Sequence, residues 1–65
     1  MHDFINFLNK TAQSGHEYVL TDENSLQCWS NNILIMTAKI SDKKRQDIEN
    51  ANYNDYSNVD LDWRI

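Results

Sequence analysis

The sequence predicts a small α+β fold: one domain over residues 1–65, in the order α-β-β-β-α-β, with a mostly antiparallel sheet. Three observations carry that expectation. Residues 25–40, SLQCWSNNILIMTAKI, set two apolar runs on either side of Asn31-Asn32. The last seven residues, VDLDWRI, alternate apolar and polar without a fault. Two further segments, one near each end of that hairpin, carry helical spacing or a helix cap.

The chain in order justifies each element. Over residues 2–14, Phe4, Ile5, Leu8 and Ala12 fall on neighbouring helical turns with Phe7 beside them, which predicts a short amphipathic helix. Gly15, the sole glycine, stands where a helix end favours a left-handed residue. Residues 16–21 then read as a first strand, and residues 22–25, Asp-Glu-Asn-Ser, as a polar turn into the hairpin.

The hairpin rests on backbone sterics. A two-residue turn that matches the twist of its strands needs positive φ at both central residues, and Asn tolerates that region better than any residue except Gly. With Asn31-Asn32 as the turn, the expected pairs are Ser30–Ile33, Trp29–Leu34, Cys28–Ile35 and Gln27–Met36. One face then collects Val19, Leu26, Cys28, Ile33 and Ile35; the other collects Tyr18, Leu20, Trp29, Leu34, Met36 and Ile40. The second is bulkier and is the expected seat of the first helix. Both are apolar, which leaves one face in need of cover.

Ser41 caps a second helix reaching to about Asn52, with Asp42 in its first turn and only Ile48 and Ala51 pointing inward. Residues 52–58, NYNDYSN, read as a polar loop carrying two tyrosines, because Asn and Asp side chains compete for backbone partners. In the strand expected over residues 59–65, Val59, Leu61, Trp63 and Ile65 face one way and Asp60, Asp62 and Arg64 the other.

Composition limits what this fold does. With one cysteine, Cys28, no internal disulfide forms, and the residue reads as a small buried hydrophobe. The longest unbroken apolar run is four residues, Ile33 to Met36, and the first residues do not resemble a signal peptide. A complete cytoplasmic product beginning at Met1, with no membrane association, is the expectation. No glycine-rich phosphate loop exists, and Cys28, His2 and His16 lack the spacing of a metal site or a nucleophile–base pair. The chain is therefore expected to be no enzyme, to need no cofactor and to hold no metal.

Charge points to a protein partner. The net charge of −4 is unevenly spread: residues 41–46 carry +2, whereas residues 47–65 set Asp47, Glu49, Asp55, Asp60 and Asp62 against Arg64 alone. Such a balance disfavours direct binding of nucleic acid, whose affinity comes from neutralised phosphates, and favours a basic protein surface. The expected partner-binding residues are Tyr53, Asp55, Tyr56, Asp60, Asp62, Trp63, Asp47 and Glu49: aromatic anchors ringed by carboxylates. They suit an inhibitor or adaptor that occludes a basic groove on a larger host protein that handles nucleic acid. A phage or mobile-element antagonist of a nuclease or defence complex, of the anti-CRISPR or anti-restriction kind, is one form. The alternatives are a small homo-oligomeric structural protein, with a spare sheet face or edge pairing to a second copy, and an immunity protein or antitoxin.

Overall fold

Asn31 and Asn32 both adopt positive φ, 51° and 69°, and turn the chain between two antiparallel strands, as their side chains predict. The computed structural model describes residues 1–22 and 24–65; Glu23, in the expected polar turn, lies outside the described residues. The elements are α1 (His2–Thr11), β1 (His16–Asp22), β2 (Ser25–Ser30), β3 (Ile33–Lys39), α2 (Asp42–Asn50), a 3₁₀ helix (Tyr53–Asn58) and β4 (Trp63–Arg64). The four strands form one antiparallel sheet in the order β1-β2-β3-β4, an α+β architecture.

The hairpin departs from its expected register after two pairs. Ser30 pairs with Ile33 and Trp29 with Leu34, but Cys28 pairs with Met36 and Gln27 with Thr37, so Ile35 is an inserted bulge residue. The one-residue slip reverses the parity of everything beyond it. Without the bulge, Thr37 would lie opposite Leu26 on the buried face. With it, Ala38 takes that place, Ala38 and Ile40 become buried, and Lys39 faces solvent. The energetic reason is the cost of burying a lysine and a threonine in place of two apolar groups.

Two irregularities correct the expected faces: the Ile35 bulge moves Met36 and Ala38, and a separate register shift between Leu20 and Asp22, where β1 meets β2, moves Tyr18, Val19 and Leu20. Tyr18 pairs with Cys28 and Leu20 with Leu26, so Tyr18, Leu20, Leu26, Cys28, Met36 and Ala38 share the inner face. Leu26 and Cys28 are wholly buried there. Trp29, Leu34 and Val19 lie on the opposite, outer face. Against the inner face sits one core of Phe4, Leu26, Ala38, Ile40, Ile48 and Tyr56, with Ile5, Phe7, Leu8, Leu20, Val59, Leu61 and Trp63 packed around it.

The helices and termini follow local rules with three corrections. α1 ends at Thr11, where Ala12 turns extended, and Gly15 (φ +85°) serves the turn into β1, whose His16 N–H donates to the Gln13 carbonyl at 3.0 Å. Ser41 caps α2 as expected: its Oγ accepts from the Lys44 N–H at 3.1 Å, and Ile48 is buried. Residues 53–58 are not a loop, because burying Tyr56 against Phe4 winds them into 3₁₀ turns. The last strand is also shorter than expected. Only Trp63 and Arg64 pair, with Ala38 and Thr37, because the Trp63 N–H turns back to the Leu61 carbonyl at 3.0 Å and bends the chain out of the ladder.

The two edges of the sheet are finished differently. On β1, the Asn9 side chain takes the place of a neighbouring strand: its Oδ1 accepts from the Tyr18 N–H at 2.7 Å and its Nδ2 donates to the Tyr18 carbonyl at 3.0 Å. β4 covers β3 only at Thr37 and Ala38, next to Ile33 and Leu34, which are 66 % and 42 % exposed.

Candidate functional site

Two surfaces compete for a functional role: the acidic C-terminal side expected from the sequence and the outer face of the sheet. The C-terminal side begins with its aromatic rings. Tyr56 is 8 % exposed, with its ring edge-on to Phe4 at 5.3 Å and to Phe7 at 5.6 Å, so it is a core residue that offers little to a partner. Trp63 is half-buried on the core and lies 5.5 Å from the Tyr18 ring. Tyr53 alone keeps an open ring, 54 % exposed, with one edge against Phe7 at 5.6 Å.

The carboxylates are partly compensated where they stand. Asp62 accepts from the Arg64 guanidinium at 2.9 Å, and Glu49 from the Arg45 Nε at 3.1 Å, one helical turn away. Asp60 and Asp62 line one concavity of about 520 Å³ together with Lys39, Lys44, Ser41 and Leu61. Cations within a few ångströms cancel much of a carboxylate's field at longer range, so this region is mixed in charge. Asp47 and Asp55, both exposed, have no ion pair among the described residues.

The outer face has a different origin. Both helices and the 3₁₀ segment contribute their buried residues (Phe4, Ile48 and Tyr56) to the inner core, and none reaches the other side. Cross-strand pairs on that side set Glu17 opposite Trp29 and Val19 opposite Gln27, with Trp29 also opposite Leu34. The Trp29 indole N–H donates to the Gln27 Oε1 at 3.0 Å, which holds the ring in one orientation along the strand. Beside it is a second concavity of about 520 Å³, lined by Gly15, Glu17, Val19, Gln27, Trp29, Asn31 and Asn32.

Of these outer-face residues the sequence placed only Val19 on a sheet face in need of cover, and none was among the expected partner-binding residues. The available signal was the parity of Thr37 and Lys39 against Ala38 and Ile40, which puts Ala38 and Ile40 on the buried side and calls for a bulge to bring them beside Leu26; Trp29, of opposite parity to Leu26 on β2, then faces out. On the inner face, burial pushes the Tyr18 phenol above its ordinary value, and the neighbouring Cys28 thiol adds to the effect. Cys28 itself is buried and in no disulfide, in the position of a packing residue.

Among the described residues no group of three or more His, Cys, Asp or Glu side chains is placed to hold a metal ion. No described helix is long and apolar enough to cross a membrane. Comparison with protein-family models, curated proteins and solved structures finds no match to the chain.

Proposed function

We propose that this protein is a non-enzymatic binding module, an inhibitor or adaptor that covers a basic surface of a larger protein with the outer face of its sheet. One observation carries the reading: a sheet face that neither helix covers presents half-buried Trp29 and Val19 and exposed Leu34 on an acidic chain. A solvated antiparallel face is ordinarily polar, and Trp is the residue most enriched where partners bury a surface. The non-enzymatic part is supported by Cys28, the strongest nucleophile of the chain, whose side chain is sealed in the core. A reducing, cytoplasmic site of action fits that unpaired thiol. An enzyme that handles nucleic acid through a cation-lined groove is the class of target, and occlusion of that groove is the mechanism.

The test is capture of a partner from host lysate by the tagged chain and by two surface variants, with folding checked by circular dichroism. Loss of a stoichiometric partner with Trp29→Ser plus Leu34→Ser, and retention with Asp47→Asn, Asp55→Asn and Asp60→Asn together, is the expected result. The reverse pattern would move the interface to the acidic side. Bait alone, with a mass that rises above 7.7 kDa with concentration, would replace the reading by self-assembly.

A further inference from the structure

The register of β1 on β2 builds the outer-face concavity from three cross-strand pairs. Gly15 lies beside Asn31, whose N–H donates to the Gly15 carbonyl at 3.1 Å; next come Glu17 opposite Trp29 and Val19 opposite Gln27. Gly15 shapes this end of the depression. It has no side chain, and a Cβ there would stand 2.9 Å from the Asn31 Oδ1, so the Asn31 amide rests directly against backbone.

The chemistry of the lining is one-sided. Glu17 is its sole charged side chain, it is exposed, and it has no ion pair among the described residues. Around the carboxylate stand an indole ring held in place by Gln27 and the side-chain amides of Asn31 and Asn32. An unpaired carboxylate, an aromatic ring and amide oxygens are together a receptor for a cation. Among biological cations a guanidinium fits best, since its plane stacks on an indole while its edge donates two hydrogen bonds to a carboxylate.

We propose that this depression receives an arginine side chain of the partner protein. The proposal rests on the reading of the outer face as the binding face, and it adds the residue type recognised there. A protein supplies the arginine because one exposed ion pair and one stacking contact are each worth a few-fold in affinity, too little to hold the free amino acid. The remaining contacts must come from the surface that carries the side chain.

The experiment is titration of the isotope-labelled chain with hexa-arginine and, separately, hexa-lysine, following backbone amides and the Trp29 indole N–H by NMR. The expected shifts centre on Gly15, Glu17, Trp29 and Asn31, with hexa-arginine about threefold tighter than hexa-lysine. Glu17→Gln should weaken hexa-arginine about two- to fivefold, and Trp29→Leu should abolish the preference over lysine. Glu17→Gln changes only an exposed side chain, so it stays decisive even where Trp29→Leu fails to fold. Equal affinity for the two peptides overturns the assignment to arginine. Shifts confined to Asp47, Asp55 and Asp60 overturn the site but leave a basic partner standing. No shift at millimolar peptide overturns the arginine site and leaves the outer-face reading to be decided by partner capture with Trp29→Ser plus Leu34→Ser.

Discussion

On a single strand, β2, neighbouring residues meet opposite fates: Leu26 and Cys28 have no exposed surface, whereas Gln27 and Trp29 look out from a face that no helix covers. The contrast between the two faces shows how a chain of this size spends its apolar residues. α1 brings Phe4, Ile5, Phe7 and Leu8 to the inner side, the 3₁₀ helix adds Tyr56, and α2 adds little beyond Ile48. Among the described residues no further element remains to cover a second layer. An antiparallel sheet tolerates one wet face, so the arrangement is stable, but the half-buried tryptophan on that face keeps part of its ring accessible to another molecule.

The largest expected effect lies on the buried side. Leu26→Ala should cost about 2–5 kcal/mol of unfolding free energy by chemical denaturation, enough to unfold much of the population of so small a protein. Trp29→Ser, on the same strand, should cost under about 1 kcal/mol. Equal costs would mean that the two faces are packed alike and would erase the contrast. Next is Gly15→Ala, expected to cost about 1–3 kcal/mol, because the new Cβ faces both a left-handed backbone and the Asn31 amide. A neutral result in thermal melts would show that the turn relaxes and that the depression is not held by Gly15.

The two edges sharpen the comparison further. Asn9→Ala removes both hydrogen bonds to Tyr18 and should cost about 1–2 kcal/mol, with faster hydrogen exchange at the Tyr18 amide and unchanged exchange on β2. If that amide stays protected, the edge of β1 has some cover other than Asn9. The smallest effect is alkaline. The Tyr18 phenol is raised in the folded state, so the fold favours its neutral form. That preference leaves stability unaffected below the unfolded value near pH ~10, and stability falls as pH climbs from there through the folded value. Tyr18→Phe should flatten this decline in an alkaline denaturation series; an unchanged slope would assign it to another group.

Local features were legible from residues alone where the physics is local. Asn31-Asn32 makes the hairpin turn because Asn bears positive φ, Ser41 caps α2 because its hydroxyl reaches an N–H three residues on, and Phe4, Ile5 and Leu8 declare an amphipathic helix by spacing. The expected site was legible only in part. Tyr53, Asp47 and Asp55 stand open on the surface, but Tyr56 completes the core, and Asp62 and Glu49 lie beside arginines. A tyrosine flanked by asparagines looks alike in sequence whether it caps a core or faces a partner; the Phe4 and Phe7 rings that decide its fate come from the other end of the chain.

By itself the sequence determined the two helices, the first three strands and their order, because turns, caps and periodicities are set by residues within a few positions of one another. Which face of the sheet is buried was decided only in three dimensions. One inserted residue, Ile35, reverses the parity of β3, and the choice to insert it depends on Ala38 and Ile40 finding Leu26 and the helices on the same side. That contact is made across the whole fold: the parity of Ala38 and Ile40 shows that they share a side, but only the pairing with β2 decides that Ile35 is the residue inserted.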